Sequence, residues 1–516
     1  MTLQTDLVFE KQNDLIFIDK PAGFSTHAAD PHIPGIHEIY SQKIQQKLWV
    51  THRLDKTTTG SLCFATSEDK ARELFQAFAE HRVRKKYLFV TDRKSTFLEK
   101  EFSSFIEKRG KIFVSEESPT PNAKTVFKRV KGSPFFELWE AYPESGKPHQ
   151  IRLHASQIGL PICGDELYGG TRFPHLCLHS AELEIPGTKT WATPPPLFFE
   201  RLGLLKDPAL VRLLSEMDRR QRLFGFLQKP EQCFRLIHQN DLTIDKLGSV
   251  LWVAWYKETP PTAMDLQRFD FLGDLTQTSV IVRQMENRGK NPNSQSLWHL
   301  GRERTEEAQN SWQAKENNTI YEFRSSSGLS SGLFLDQRDH RQKVRALAKE
   351  KKILNLFSYT CGFSVEAALG GATEVTSVDV SNNTLEWAKQ NFSLNHLDPS
   401  KYEFFSSDCL VYLKGAAKRQ RQFDLIICDP PSFGRAGKSV FRLEKELDSL
   451  LGLCGQCLHR GGVLLFTCNY EKWNQIDFET RVKKALPHQR IETGQSGWDY
   501  ELPSEQRKLK ALWVFF

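Results

Sequence analysis

His52-Arg53-Leu54-Asp55-Lys56-Thr57-Thr58-Thr59-Gly60 places an aspartate among basic residues, just before a Thr/Gly-rich turn. The turn leads into Ser61-Leu62-Cys63-Phe64-Ala65, a short apolar run that reads as a strand. A loop carboxylate flanked by cations stays ionised at neutral pH and serves as a nucleophile or a base. The plain alternative is a solvated Arg/Asp pair that caps a turn.

Three further stretches follow the same logic. Leu15-Ile16-Phe17-Ile18-Asp19-Lys20-Pro21-Ala22-Gly23 is a β-rich run ending in a Pro/Gly turn. Arg84-Lys85-Lys86-Tyr87-Leu88-Phe89-Val90 is a basic stretch running into a strand with a tyrosine. Ser145-Gly146-Lys147-Pro148-His149-Gln150-Ile151-Arg152-Leu153-His154 is followed by Gly159-Leu160-Pro161-Ile162-Cys163-Gly164-Asp165-Glu166-Leu167-Tyr168-Gly169. In this order the four stretches resemble the motifs of the RluA family of RNA pseudouridine synthases, with Ser145, Lys147 and Pro148 departing from the family spelling. The resemblance implies an α+β catalytic domain with a mixed antiparallel sheet and no cofactor. It assigns Asp55 as the catalytic carboxylate, Tyr87 as the active-site tyrosine and Arg152 as the guanidinium that pairs with Asp55.

The residue types suit that chemistry. Isomerising uridine breaks the N1–C1′ bond, turns the base and joins C5 to C1′, so the base must first leave its stack. The carboxylate attacks the sugar or takes a sugar proton, and the sequence leaves both routes open. A guanidinium offsets the cost of burying a carboxylate by forming a bidentate pair. Tyr87 offers a ring to pack on uracil and a hydroxyl near the C5 proton. Arg53 wedges the base out, touches phosphate or is a plain surface charge. Arg82, Arg84, Lys85 and Lys86 form the clearest basic cluster, an RNA-backbone patch or a solvated strand edge. His149 and His154 lack the pattern of metal ligands and read as structural or RNA-facing, with His149 the candidate RNA contact.

A second chemistry occupies the other end. Lys352-Ile353-Leu354-Asn355-Leu356-Phe357-Ser358-Tyr359-Thr360-Cys361-Gly362-Phe363-Ser364 reads as a buried strand, a turn and a helix start. The helix ends at Gly370-Gly371, and a new strand, Val375-Thr376-Ser377-Val378, runs into Asp379. An acid after the second strand of a β-turn-α-β unit is placed to hold a nucleoside ribose. Further on come Ser407-Asp408 and the strand Phe423-Asp424-Leu425-Ile426-Ile427-Cys428, which ends in Asp429-Pro430-Pro431-Ser432-Phe433. Two prolines remove donors and leave carbonyls for a substrate, which argues against a dehydrogenase-like domain.

These stretches, with Gly332-Leu333-Phe334-Leu335-Asp336-Gln337-Arg338-Asp339-His340-Arg341 and Phe234-Arg235-Leu236-Ile237-His238, resemble the S-adenosylmethionine methyltransferases of the RlmI/RlmK type, which act on ribosomal RNA. The resemblance implies a Rossmann-like class I domain that binds S-adenosyl-L-methionine through Asn355, Phe357, Gly362, Asp379 and Asp408. Asp336 and Arg338 would close the pocket, Asp429 would face the target base, and Phe433 would stack on it. Methylating carbon-5 of a pyrimidine needs a thiolate. Cys468, at the end of the strand Gly462-Val463-Leu464-Leu465-Phe466, stands where 5-methylcytosine enzymes carry one. Cytosine C5 is therefore the expected target, with guanine N-methylation as the alternative. Cys454-Gly455-Gln456-Cys457 reads as helix packing, not zinc.

Composition fits two enzymes in one chain. Charged residues at 26% and hydrophobic ones at 39% are ordinary for soluble globular domains, and 516 residues allow several of them. The net charge of +7 leans mildly toward polyanions such as ribosomal or transfer RNA. Thinly spread cysteines and the lack of a leader or spanning segment point to the cytoplasm, without membrane or metal. The expected layout is a synthase domain at 1–195, a helical tail or linker at 196–230, a middle α+β domain at 231–325 and the methyltransferase-like domain at 326–516. An RNA-binding or assembly protein with one inactive domain is the reading from a different class.

Overall fold

Strand Thr59–Ala65 is buried along its whole length because strands flank it on both sides. Leu15–Lys20 pairs with it antiparallel and Leu178–Glu184 pairs with it in parallel. The parallel contact is tight at Gly60, where φ is +110° and a Cβ would lie 2.1 Å from the Ser180 carbonyl oxygen. Only glycine fits there, and this ties the turn after Asp55 to the centre of the sheet.

The computed structural model describes residues 7–28, 34–285, 296–301, 310–326, 330–436, 439–486, 490–494 and 509–516. The polar loop expected around residues 291–294 lies outside them. The chain divides into two units, 2–228 and 229–516.

The first unit is built on an 11-stranded sheet. Its path runs Glu10–Gln12, Leu15–Lys20, Thr59–Ala65, Leu178–Glu184, Arg84–Thr91, Glu137–Pro143, Ala123–Gly132, Glu99–Arg109 and Ile112–Glu116. Trp49–Val50 and Trp191–Ala192 add short edges. Among these, Thr59–Ala65 with Leu178–Glu184 is the parallel pair; the others run antiparallel. Helix Glu68–Ala79 covers one end by burying Ala71, Leu74 and Ala77 against Leu15, Phe17 and Cys63. Residues 197–228 belong to this unit and do not form a free linker. Helix Pro208–Phe224 starts with Asp207 accepting from the Ala209 and Leu210 amides, and with proline in its first turn. Near its end Arg222 reaches Asp19 and Asp218 and donates to the Pro194 carbonyl at 3.0 Å.

The second unit contains a seven-stranded sheet: Glu403–Ser406, Glu374–Asp379, Lys352–Leu356, Phe423–Cys428, Leu458–Cys468, Lys510–Phe515 and Arg490–Thr493. In local order this is 3-2-1-4-5-7-6. The first five strands are parallel, and Lys510–Phe515 is inserted antiparallel to both of its neighbours. The strand order reverses between Lys352–Leu356 and Phe423–Cys428. Such a switch point opens a crevice at the carboxyl ends of the strands, where ligands bind in doubly wound sheets.

The stretch expected as a middle domain forms a five-stranded sheet, Cys233–His238 through Leu297–Leu300, and a hairpin, Ser311–Glu316 with Thr319–Arg324. Helix Ala263–Thr276 packs on this sheet and buries Phe269, which meets the Trp255 ring, and Leu272. One apolar cluster runs from Cys233, Trp252 and Trp312 through Tyr321 to Ile353, Val375 and Leu425. Glu316 of the hairpin holds both Arg338 and Arg341 of helix Arg338–Leu347.

Candidate active sites

In the first unit the loop 52–58 and helix Gln150–Gln157 face one cavity of about 940 Å³. Its lining includes Arg53, Asp55, Lys85, Tyr87, His149 and Arg152. Side-chain alternation along Arg84–Thr91 decides which of the basic residues take part. Lys85 and Tyr87 turn to the cavity, whereas Lys86 lies between Glu140 and Glu182 at 3.0 and 3.1 Å. Arg84 is exposed, 4.0 Å from Glu184. The expected basic patch is thus split by the pleat, and the Lys86 charge is matched by two carboxylates. Lys85 donates to the Ser145 carbonyl at 2.8 Å, and burial lowers its pKa to about 8.

Arg152 corrects the sequence reading. Its fork closes on Asp165, with Nε and Nη2 each donating to a carboxylate oxygen at 2.7 Å. Asp55 receives one contact, from Nη1 to Oδ2 at 3.1 Å. Asp165 is fixed from behind. It is buried, the Gly164 backbone before it takes φ +84°, and a Cβ there would meet the His175 carbonyl oxygen at 2.1 Å. One guanidinium therefore serves two carboxylates, and the second holds it in place. The sequence contained Asp165 in a quoted motif, but spacing alone gave it no partner.

The loop around Asp55 is clamped on both sides. Thr26 Oγ1 donates to the Leu54 carbonyl and accepts from the Leu54 amide, at 3.0 and 3.1 Å. Lys20 is fully buried, and its ammonium donates to the carbonyls of Pro21, Lys56 and Thr58. Burial lowers its pKa to about 7, against the opposing pull of Asp55. Burial raises the Tyr87 phenol to about 12, so at neutral pH the hydroxyl keeps its proton and acts as a hydrogen-bonding group. His149 caps its helix with φ +58°; Nδ1 lies 2.7 Å from the Tyr168 hydroxyl and Nε2 is 3.8 Å from Asp55 Oδ1. His154 is buried between Ser104 and Thr125 and is structural.

In the second unit the loop after strand Lys352–Leu356 is strained. Phe357, Tyr359 and Cys361 have φ of +54°, +48° and +61°. Non-glycine residues in that region cost energy and cluster at functional sites. Asp379 ends the adjacent strand. Its Oδ2 accepts from the Tyr359 amide at 2.9 Å and its Oδ1 from the Ser381 amide at 3.0 Å. Oδ1 also accepts from Thr384 Oγ1 at 3.5 Å, and Oδ2 has a second lone-pair direction suited to a ribose hydroxyl. Asp408 caps helix Cys409–Lys418 at the end of the third strand, and Gly362 opens helix Gly362–Leu369. Segment 330–337 lies over the loop: Thr360 Oγ1 donates to the Gly332 carbonyl, Tyr359 to the Ser330 carbonyl, and Phe334 packs on Tyr359 at 5.6 Å. Asp336 sits in the turn Leu335–Gln337 of this segment.

Two residues expected at the cofactor have side chains that bond within the protein. Arg338 is buried against Glu316 and the Cys233 carbonyl, under the Phe234 ring, and ties the small sheet to the large one. Asn355 is buried and donates to Ser364 Oγ at 2.9 Å.

Cys468 is also corrected. Thr467 Oγ1 donates to Asp429 Oδ1 at 2.6 Å, whereas Cys468, one residue on, points to the opposite face. There it packs with Leu354, Cys428, Leu464 and Phe466, 1% exposed. Burial pushes its thiol up to about 11, which removes the thiolate that carbon-5 chemistry needs. Asp429 Oδ2 accepts from Gln337 Nε2 at 3.1 Å, and burial raises the pKa of its carboxyl. Phe433 stands half exposed beyond the two prolines. Gln337 and Thr467 hold Asp429, and neither was singled out from sequence.

Comparison with known proteins agrees with this division. Residues 14–157 match the family described as RNA pseudouridylate synthase, and residues 225–485 match that described as S-adenosylmethionine-dependent methyltransferase. The ribosomal RNA large subunit methyltransferase K/L of Shewanella sp. (strain ANA-3) is 40% identical over 176 residues, covering 34% of this chain and 24% of that protein. Its namesake from Colwellia psychrerythraea is 39% identical over 298 residues, covering 54% and 40%. The chain thus spans well under half the length of these relatives. The solved structure of SMU.776, a methyltransferase complexed with SAH, is 26% identical with a TM-score of 0.51, covering 60% of this chain and 81% of that one. S-adenosylmethionine is accordingly the cofactor of the second unit, and the strained loop beside Asp379 fits its nucleoside. With half its length matched, the chain belongs to the S-adenosylmethionine-dependent methyltransferase family and carries an RNA pseudouridylate synthase domain ahead of that part.

Proposed function

We propose that this chain modifies RNA at two centres, isomerising uridine in its first unit and methylating a base nitrogen, on guanine, in its second. The observation that carries the first half is Asp55 on a clamped loop, touched by Arg152 and sharing a cavity with Tyr87. A flipped uridine enters the cavity. Asp55 acts on the ribose, at C1′ or on the C2′ proton, and the N1–C1′ bond breaks. The base turns, C5 bonds to C1′, the C5 proton leaves and N1 gains one. Arg152 holds Asp55 in place, and the neutral Tyr87 packs on and hydrogen-bonds the turning base.

For the second half the supporting observation is Asp429, held by Gln337 and Thr467 at the switch point while Cys468 faces the core. S-adenosylmethionine, when bound, supplies an electrophilic methyl group. Asp379 would hold the ribose, and the loop 357–361 and segment 330–337 would enclose the nucleoside. Asp429 accepts a hydrogen bond from the target amine and takes its proton, which the raised pKa favours. Phe433 stacks on the base. The name shared by the matched relatives, ribosomal RNA large subunit methyltransferase, supports ribosomal RNA as the substrate.

The test is a comparison of RNA from cells with and without the gene. Pseudouridine is mapped chemically and methylated nucleosides are identified by mass spectrometry. We expect loss of one or more pseudouridines together with an N-methylguanosine. Loss of a 5-methylcytidine instead would overturn the nitrogen assignment, and unchanged pseudouridine would overturn the first half.

A further inference from the structure

Helix Glu68–Ala79 carries two apolar stripes. Ala71, Leu74 and Ala77 are buried in the core of the first unit. Phe75, Phe78 and Ala79 form a second set at i, i+3 and i+4, which share a helix face, and all three line the cavity that contains Asp55. Phe75 is 54% exposed there. Beside it, His52 packs over Phe78 with ring centroids 5.0 Å apart, giving this end of the cavity a firm aromatic wall. Its Nε2 accepts from the Cys63 amide at 3.1 Å, so the ring is anchored to the sheet.

The charge of the lining favours an anionic chain. Arg53, Lys56, Lys85 and Lys147 border the cavity, and Asp55 is the sole carboxylate among the lining residues. Pockets for a drug-sized ligand span roughly 300–1,000 Å³, so 940 Å³ leaves room beyond one uridine. An exposed aromatic ring in a cationic groove is the arrangement on which single-stranded bases stack, with little regard to sequence.

We infer that Phe75 is the platform of a second nucleotide subsite, which stacks a base neighbouring the target uridine while Arg53 and the bordering lysines follow the phosphates. This rests on the reading of Asp55 as the centre of uridine isomerisation. It adds a site for unpaired RNA next to the target and implies that the substrate is presented as an open loop or single strand rather than as an intact duplex.

The experiment uses the full chain and two probes. The first is tritium release from ribosomal RNA labelled with [5-³H]uridine. The second is photocrosslinking of a single-stranded oligouridylate containing 4-thiouridine, with the crosslinked peptide identified by mass spectrometry. Phe75→Ala should raise the KM for tritium release by roughly 5- to 150-fold, the range for losing one base stack, with the loss falling on KM rather than kcat. Phe75→Leu keeps an apolar side chain without a π-face and should behave like Phe75→Ala, whereas Phe75→Trp should retain the wild-type KM. The wild-type crosslink should fall in the helix peptide and disappear in Phe75→Ala. An unchanged KM in Phe75→Ala, or a normal KM in Phe75→Leu, overturns the stacking subsite. If the wild type releases no tritium, the isomerase reading fails, and the crosslink alone then decides whether bases stack on Phe75.

Discussion

Arg152 gives two of its donors to Asp165, at 2.7 Å each, and one to Asp55, at 3.1 Å. The residue that fixes the guanidinium is therefore not the one assigned to the chemistry. An arginine shared in this way holds its position whether or not Asp55 is engaged by substrate.

Asp165→Asn should therefore impair isomerisation although Asp165 need not touch RNA. Losing a charge-assisted hydrogen bond costs about 1.5–3 kcal/mol, which corresponds to a fall of roughly 10- to 100-fold in the rate of tritium release. Arg152→Lys should be at least as severe, because one ammonium cannot reproduce the planar fork. Normal rates in both variants would reduce Arg152 to a phosphate contact.

Asp55→Asn should abolish pseudouridine formation and leave RNA binding and methyl transfer largely intact. Pseudouridine mapping and incorporation of labelled methyl groups on the same RNA would show both. A variant that still isomerised uridine normally would remove Asp55 from the mechanism.

Cys468→Ala should keep methyl transfer within about twofold, since the thiol is buried and protonated. Wild-type enzyme should form no covalent adduct with RNA containing 5-fluorocytosine. The substitution should cost about 1 kcal/mol of stability for the atoms lost from the core. A trapped adduct, or a dead Cys468→Ala enzyme that is still folded, would restore the thiolate route.

Asp379→Ala should weaken S-adenosylmethionine binding, measured by calorimetry, without changing isomerisation. Besides the ribose contact, it removes the acceptors of the Tyr359 and Ser381 amides, so the strained loop loses its anchor. Equal affinity in the variant would move the cofactor away from this strand end.

Lys20 gives a pH signature. Its pKa is about 7 when folded and 10.5 in the ordinary, solvated state. Between these values the unfolded chain binds more protons, so raising the pH through this window favours the folded state. Lys20→Met should remove that contribution, leaving a flatter rise in the urea midpoint from pH 7 to pH 9 than in the wild type. Identical pH slopes would show that Lys20 keeps its ordinary affinity for protons.

Much of the fold was legible because local rules are strong. The apolar run after Asp55, the Gly60 turn, the strand before Phe357 and the strand ending at Asp379 are each set by alternation, β-branched content and glycine placement, all of which are properties of neighbouring residues. Strand pairing was not legible. The inserted antiparallel strand Lys510–Phe515 and the common core of Trp252, Tyr321 and Ile353 depend on contacts between residues far apart in the chain.

The sequence by itself determined which chemistry-bearing residues are present and in what order: Asp55, Tyr87 and Arg152 in one half, and Asp379, Asp408 and the Asp429-Pro430-Pro431 turn in the other. Only the tertiary structure decided what each side chain touches. It gave the Arg152 fork to Asp165, divided Lys85 from Lys86 across the pleat, and turned Thr467 to Asp429 while Cys468 entered the core. The physical reason is that successive strand residues face opposite ways, and an ion pair forms with whichever carboxylate packing brings within reach. A one-dimensional spacing does not contain either fact.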